Sequence, residues 1–365
     1  MKLLALLTDA FGGRGGIAKF NRDLLDALCA HPQAEEVIAL PRLVPEEPED
    51  DLPEQLTYRT DATEDKLRYA LYVARETFNL SRSTFTAVIC GHINLLPLAV
   101  LAARCRRVPL LLVVHGIEVW EPVGGALTKW LLAQVDVFVS VSAFTKRRFL
   151  EWTPLSAEQG RVVPDCIDAT PYGPGPKRES LLERYGLGGR TVLMTLGRLS
   201  ASEQYKGHDE ILEVLPDLVE EQPDIAYLVC GDGDDRARLE TKARRLGLSD
   251  RVVFAGYVPE AEKADHYRLA DAFVMPGRGE GFGIVYLEAL ACGIPVVASS
   301  ADASREAVRD GALGEVVDPD DPADLKRGIR VALAGEHGTV PEGLGYFSKE
   351  RFTERWHDVV DRVCG

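Results

Sequence analysis

Two glutamates eight residues apart, Glu280 and Glu288, frame the segment GRGEGFGIVYLEALACGIPVV at 277–297. The apolar run DAFVMP precedes it and IPVVAS closes it, so the segment reads as strand, turn, helix and strand. Glu280 then stands at the carboxyl end of a parallel strand, where open α/β sheets bind ligands. Gly281 and Gly283 allow a tight turn and a close approach of a ligand to the backbone. The helix is predicted to begin near Gly283. The free N–H groups around Phe282, Gly283, Ile284 and Val285 would form an anion site, from orphan donors and helix dipole together. Glu288 falls inside that helix, where a carboxylate can accept hydrogen bonds from the diol of a ribose. Taken singly, Glu280 could cap the helix and Glu288 could lie on its exposed face. The glycines and the strand context favour a phosphate cradle flanked by two carboxylates.

Positioning such a cradle requires buried parallel strands, and the chain supplies them. Continuous apolar runs occur at 3–8, 36–40, 86–91, 109–114 and 135–141, and again at 191–197, 225–231, 251–256, 271–277 and 294–299. Runs without alternation suit strands buried on both faces. Helical stretches at 17–30, 66–78, 208–222, 234–246 and 284–292 separate them, which predicts a doubly wound α/β architecture with parallel sheets. The alternation pauses at 165–190, a Pro- and Gly-rich stretch that reads as a linker between two Rossmann-like halves. The expected domains are 1–173 and 174–344, with a closing helix at 345–365 that carries Phe352, Trp356, Val359, Val360 and Val363 on one side. Segment 41–65, acidic and Pro-containing, reads as an exposed loop.

Composition narrows the class. The 365 residues are 46% hydrophobic and 27% charged, as in an ordinary soluble protein of two domains. The net charge of −15 disfavours nucleic acid as a partner, because Lys and Arg supply most of that affinity. Residues 101–150 nevertheless hold seven basic and three acidic groups, a block that could face an anionic membrane. Seven cysteines without a C-x-x-C read as free thiols in a reducing compartment. MKLLALLTD is too short in apolar residues for a signal peptide, and VPLLLVV at 108–114 is too short to span a bilayer, so a cytoplasmic location is expected.

Glu280-x7-Glu288 within EGFGIVYLEALACGIPVV resembles the E-x7-E signature of retaining glycosyltransferases of family 4, which have the GT-B fold, and the resemblance runs over essentially the whole chain. It implies two Rossmann-like domains facing a central cleft, the first binding the acceptor and the second the donor, with the final helix crossing back to the first. GRLSASEQYKGHDEIL at 197–212 is similar to the family's G-R-L-x(n)-K-G segment, which implies that Arg198 and Lys206 bind the donor diphosphate. Two cations after the first strand of the second domain are what a leaving nucleoside diphosphate needs, although either alone would read as a solvated surface charge. The strand ends YLVCGDGDDRARLE and RVVFAGYVPEAE also match, and the loop after Gly256 implies Tyr257 and Val258 at the base. In GGRGGIAKFNRDLLDAL at 12–28, Gly15 and Gly16 would bring backbone N–H groups near donor phosphate and acceptor. Read as a dinucleotide fingerprint instead, Gly13-x-Gly15-x-x-Ala18 lacks the acid expected at the end of the second strand. His115 in VVHGIEVW falls where the family often has a histidine close to the transferred sugar. The linker departs from the family's V-x-P-N-G-V-D, with Asp165 for Asn and Cys166 for Gly.

The resemblance implies transfer of a sugar, from a UDP-sugar or GDP-mannose, to a hydroxyl of a glycan, a lipid-linked or a small-molecule acceptor with retention, in bacterial surface polysaccharide or glycoconjugate synthesis. It implies no metal and no cofactor besides the nucleotide sugar. Asp232-x-Asp234-Asp235 superficially resembles a metal-binding D-x-D, but its place after Gly231 favours a loop or capping role. Glu280 would contact the sugar hydroxyls, His115 would lie close to the transferred sugar, and Arg198 and Lys206 would stabilise the departing diphosphate. A covalent route through Glu280 and a front-face route assisted by the leaving phosphate both fit the residues. The alternatives on the same fold are a sugar-nucleotide epimerase, which needs no acceptor, and a non-catalytic nucleotide-sugar-binding subunit. Arg104, Arg106, Arg107, Lys129, Lys146, Arg147 and Arg148 are the basic features of the acceptor half, together with Lys66, Arg68 and Arg75 on helix 66–78. Beside the latter runs an apolar stripe of Leu67, Ala70, Leu71, Ala74 and Phe78, read first as packing on the sheet and otherwise as docking on anionic lipid.

Overall fold

The computed structural model describes residues 1–48, 52–61, 65–79 and 85–365. The chain forms two compact units, one of Met1–Cys166 with Lys349–Gly365 and one of Ile167–Ser348. The joints thus lie at 166/167 and 348/349, where the sequence alone suggests 173/174 and 344/345. Backbone pairing explains the placement: the Ile167 N–H donates to the Phe347 carbonyl at 2.9 Å, and Arg268 Nε donates to the Gly173 carbonyl at 2.9 Å. The Pro- and Gly-rich linker is therefore built into the second unit.

The first unit holds a parallel sheet of β1 (Lys2–Leu7), β2 (Glu36–Pro41), β3 (Leu56–Tyr58), β4 (Ala87–Cys90), β5 (Leu110–Val114), β6 (Val137–Ser140) and β7 (Gly160–Val162), in the order β3-β2-β1-β4-β5-β6-β7. The second holds β8 (Thr191–Leu196), β9 (Ile225–Cys230), β10 (Val252–Gly256), β11 (Ala272–Val274), β12 (Val296–Ser299) and β13 (Glu315–Val317), in the order β10-β9-β8-β11-β12-β13. Leu3 to Leu7 and Val192 to Met194 are buried, as strands covered by helices on both faces must be. Strand order reverses between β1 and β4 in one unit and between β8 and β11 in the other. The carboxyl ends of those pairs are the switch points at which such sheets bind ligands.

Three strands escape the sequence pattern: β3, β7 and β13. Each has three residues and each ends a sheet, so none needs a long apolar run. β3 lies within the segment read as a loop at 41–65; residues 49–51 and 62–64 of that segment lie outside the described residues. The C-terminal helix Lys349–Cys364 packs on the helix Gly16–Cys29 of the first unit. Phe20 meets Phe352 and Trp356 at ring separations of 5.6 and 6.2 Å, and Lys349 pairs with Asp26 at 2.7 Å.

The helix Lys66–Asn79 corrects one expectation. Tyr69, Val73 and Thr77 face the core, and the Tyr69 hydroxyl donates to the Leu40 carbonyl at 2.7 Å. Leu67 and Leu71 of the proposed sheet-packing stripe are 69% and 63% exposed. Burial of Tyr69 and Val73 turns that face inward, and the buried hydroxyl finds its acceptor at Leu40. The Phe78 side chain lies outside the described residues.

Candidate active site

In the second unit the chain leaves β8 through Gly197 and returns along the 3₁₀ turn Gln204–Lys206 before the helix His208–Glu221. Glycines let this loop press onto the one after β11. A Cβ on Gly279 would lie 2.3 Å from the Tyr205 ring, and one on Gly207, at φ 86°, would lie 2.7 Å from Pro276. The Tyr205 carbonyl accepts from the Arg278 N–H at 2.8 Å. The Lys206 stem lies along the Gly197 backbone, with Cδ 3.4 Å from where a Cβ would stand.

That packing delivers the ammonium to the second loop. Lys206 Nζ is 2.5 Å from Glu280 Oε1, with the two side chains 14% and 15% exposed. Burial pulls the Lys206 pKa down, but the Glu280 charge and hydrogen bond outweigh it and the net shift is upward, so the ammonium persists through neutral pH. Beside this pair the helix Ile284–Ala291 starts at Gly283, φ 94°, with no side chain capping it. The Phe282 side chain is buried against Phe347, Ile284 is buried and Val285 half-buried, so what this turn offers a ligand is its backbone N–H groups.

Arg198 is not drawn to the same point. Its guanidinium pairs with Glu203, and its side chain is 70% exposed. Tyr257 is exposed and Val258 buried after β10. Glu288 departs from the exposed-face alternative: it is 1% exposed, accepts from the Tyr267 hydroxyl at 2.7 Å, and lies 3.6 Å from Lys263 Nζ. Tyr172 also bonds to it, and burial first, then the Glu288 charge, raises the tyrosine's pKa. The aspartates after Gly231 tie loops together. Asp234 accepts from the Ala201 N–H at 2.7 Å, and Asp235 pairs with Arg238 at 2.6 Å without capping the helix it precedes. Among the described residues no group of three His, Cys, Asp or Glu side chains could hold a metal ion.

In the first unit, Gly15 has φ 92° and precedes the uncapped helix Gly16–Cys29; a Cβ on Gly15 or Gly16 would meet nothing within 4 Å. His115 follows β5, is buried, and its Nε2 donates to the Gly91 carbonyl at 2.8 Å. The Glu118 carboxylate accepts from the His115 N–H at 2.5 Å. Phe20 sits edge-on to the His115 ring at 5.0 Å and His92 stacks on it at 6.3 Å. Asp9, past the end of β1, has its carboxyl raised by burial, against the Thr8 hydroxyl and the Arg22 and His115 charges.

Sequence reasoning missed Tyr205, Tyr172, Tyr267, Lys263, Asp302, Asp9, His92 and Glu118 around these points. Tyr205 was recoverable from its place beside Lys206, and His92 from following an apolar run as His115 does. Glu118 bonds locally, to the N–H of His115 three residues before it, while Tyr172, Tyr267, Lys263 and Asp302 reach their partners through tertiary packing.

Residues 178–351 match the family described as glycosyl transferases group 1, and residues 14–170 match glycosyltransferase family 4. The chain is 37% identical over 266 residues to the GDP-mannose-dependent alpha-(1-6)-phosphatidylinositol monomannoside mannosyltransferase of Mycolicibacterium smegmatis, covering 66% of this chain and 69% of that protein. The Mycobacterium tuberculosis protein of the same name is 35% identical over 275 residues, 71% of this chain and 70% of its own. The crystal structure of Anabaena Alr3699/HepE in complex with UDP and glucose superposes with a TM-score of 0.75 at 20% identity, covering 99% of both chains. The chain has that fold, GT-B.

Proposed function

The chain belongs to glycosyltransferase family 4, whose members are retaining hexosyltransferases, and on that premise we propose that it moves mannose from GDP-mannose to a hydroxyl of a lipid-linked acceptor. The observation that carries the reading is the Lys206–Glu280 pair at 2.5 Å, at the switch point of the second sheet and beside an uncapped helix start. A departing diphosphate develops negative charge, and preorganised cations and N–H donors lower that barrier. Lys206 gives up Glu280 for the diphosphate when donor enters, and Glu280 is then freed for the sugar hydroxyls. Arg198, eight residues before Lys206 in the same loop, has its side chain 70% exposed and paired with Glu203, and takes the same diphosphate. Gly15 and Gly16 present backbone to donor and acceptor, His115 meets the transferred sugar, and Glu288 and the Tyr257–Val258 loop take the ribose and base. Mannose and the guanine nucleotide are favoured over a UDP-sugar by the relatives at 35–37% identity.

The lipid-linked acceptor is supported by the first unit's surface. Leu67, Leu71, Leu127 and Trp130 are exposed large apolar side chains beside Lys66, Arg68 and Lys129. No helix among the described residues is long and apolar enough to cross a membrane. Exposed apolar side chains flanked by cations are what peripheral contact with anionic lipid uses. A thermal-shift panel of GDP-mannose, UDP-glucose and ADP-glucose tests the donor, since a ligand of the folded state raises its melting temperature. Stabilisation by UDP-glucose but not GDP-mannose would reverse the donor assignment. Flotation with phosphatidylinositol vesicles tests the surface, and absence of binding at low salt would point to a soluble acceptor.

A further inference from the structure

We propose that Asp302 is a positioning residue for transfer: its carboxylate and the peptide after it hold both backbone groups of Glu280, so that the Glu280 side chain is aimed at Lys206 and then at the donor sugar. This rests on the reading of Glu280 as the residue that contacts that sugar.

The geometry is a two-sided clamp. Asp302 Oδ2 accepts from the Glu280 N–H at 2.9 Å, and the Ala303 N–H donates to the Glu280 carbonyl at 3.1 Å. The other oxygen, Oδ1, accepts from the Ser304 hydroxyl at 2.6 Å and from its N–H at 3.0 Å. Ser304 Oγ in turn accepts from the Ser299 N–H at 3.0 Å, which fastens the clamp to the end of β12. Glu280 is thus tied to the sheet through its backbone while its side chain stays available.

A fully buried carboxylate is an expensive way to hold a loop, since burial disfavours the charge. Asp302 is wholly buried, and burial raises its pKa to about 6, with the neighbouring Glu280 adding to the rise and the Ser304 and Glu280 hydrogen bonds opposing it. Glu280, Lys206 and the Tyr286 hydroxyl are the titratable groups around it. An ionised acceptor binds N–H donors about twice as strongly as a neutral one, which suits a residue that must keep a catalytic backbone still. Protonation removes one of those acceptor sites, so the clamp loosens as pH falls through 6.

The test compares the turnover of wild type with that of Asp302→Ala, Asp302→Asn and Glu280→Ala, using as donor the nucleotide sugar that the thermal-shift panel finds to bind. A misplacement of about 1 Å costs roughly 100-fold in rate, so Asp302→Ala should lose that much kcat while GDP still raises its melting temperature as in wild type. Asp302→Asn keeps an acceptor for the Glu280 N–H but loses the one for the Ser304 N–H and hydroxyl, so its kcat should stand near the low-pH level of wild type, between wild type and Asp302→Ala. It should also lack the acid limb near pH 6 that wild type shows. Should Asp302→Ala fail to fold, the pH profile of Asp302→Asn carries the test. An unchanged kcat in Asp302→Ala, or an acid limb retained in Asp302→Asn, overturns the positioning role alone, provided Glu280→Ala is inactive. An active Glu280→Ala, or no nucleotide sugar turned over by wild type, overturns the parent reading and this one with it.

Discussion

At the switch point of the second unit, an ammonium and a carboxylate meet at 2.5 Å, whereas at the strand ends of the first a ring N–H to carbonyl hydrogen bond of 2.8 Å ties His115 to Gly91. Both sites sit at the ends of parallel strands, and both lie beside a glycine-opened, uncapped helix. The strand-end geometry is shared and the electrostatics differ. A leaving diphosphate develops charge that a cation and N–H donors together balance, while a sugar or acceptor hydroxyl is neutral and needs a placed ring and backbone. The two units should therefore fail differently when mutated, one in the rate of bond cleavage and the other in the use of sugar and acceptor.

The sharpest way to break that comparison is to remove the charges. Glu280→Ala and Lys206→Ala should each lower kcat by about 10³-fold, the scale of losing a preorganised electrostatic contact. Each single change leaves a nearly buried partner unpaired and should also cost about 3 kcal/mol of stability. Replacing both by apolar residues of similar size should restore stability but not turnover. Denaturant titration beside initial rates separates the two effects, and full activity in either single variant would remove the charge-based account of the second unit.

Packing beneath that pair offers the next largest effect. Gly231, at φ 139°, would bring a Cβ within 1.8 Å of the Gly197 carbonyl, and Gly197 is the backbone on which the Lys206 stem lies. Gly231→Ala should cost about 2–4 kcal/mol and weaken the thermal response to GDP, because the lysine loses its bed. A variant that melts lower yet responds normally to GDP would show that Lys206 does not depend on this contact.

These cases also mark how far the sequence could be read. Strand ends were legible because buried parallel strands leave continuous apolar runs, so Glu280, Lys206 and His115 could be set at their strand ends or loops without coordinates. The Glu280–Lys206 pairing was not, since 74 residues separate the partners and only the glycine-permitted stacking of two loops joins them. Asp302 stands in SSADAS, a polar run like any surface loop, and its burial comes from folding back over Glu280. Glu288 shows the converse: helical periodicity allowed an exposed face, but Tyr267 and Tyr172 of other segments cover it. The Leu67 stripe failed for a related reason: the competing face, Tyr69 and Val73, is the one buried, and there the Tyr69 hydroxyl finds the Leu40 carbonyl.

On the first unit's side of the comparison, His115→Ala should reduce kcat/KM for the nucleotide sugar by about 10- to 100-fold, the range for losing a hydrogen bond to a buried polar group. GDP should still raise the melting temperature by the wild-type amount. Loss of the GDP response together with turnover would mean that His115 supports the fold and would erase the distinction drawn between the units.

The smallest effect tests whether the second unit's reliance on charge extends below its site. Burial raises the Asp209 carboxyl, but hydrogen bonds and charges from Arg238 and Lys242 outweigh it and bring the pKa down to about 2, from 3.8. Because the folded value is depressed, the stabilisation is present above pH 4 and is lost as pH falls through 2. Asp209 is partly solvated, so screening reduces its share to about 1 kcal/mol. Asp302 acts in a separate window and with opposite sign: its raised value means that stability is gained as pH falls from 6 toward 4. Urea titrations at steps between pH 5 and 2.5 should show Asp209→Asn less stable than wild type at the top of the range, with the gap closing toward the bottom. A gap of constant size would mean that Asp209 matters for its shape and hydrogen bonds and not for its charge, and would confine the charge-held character of the second unit to Lys206 and Glu280.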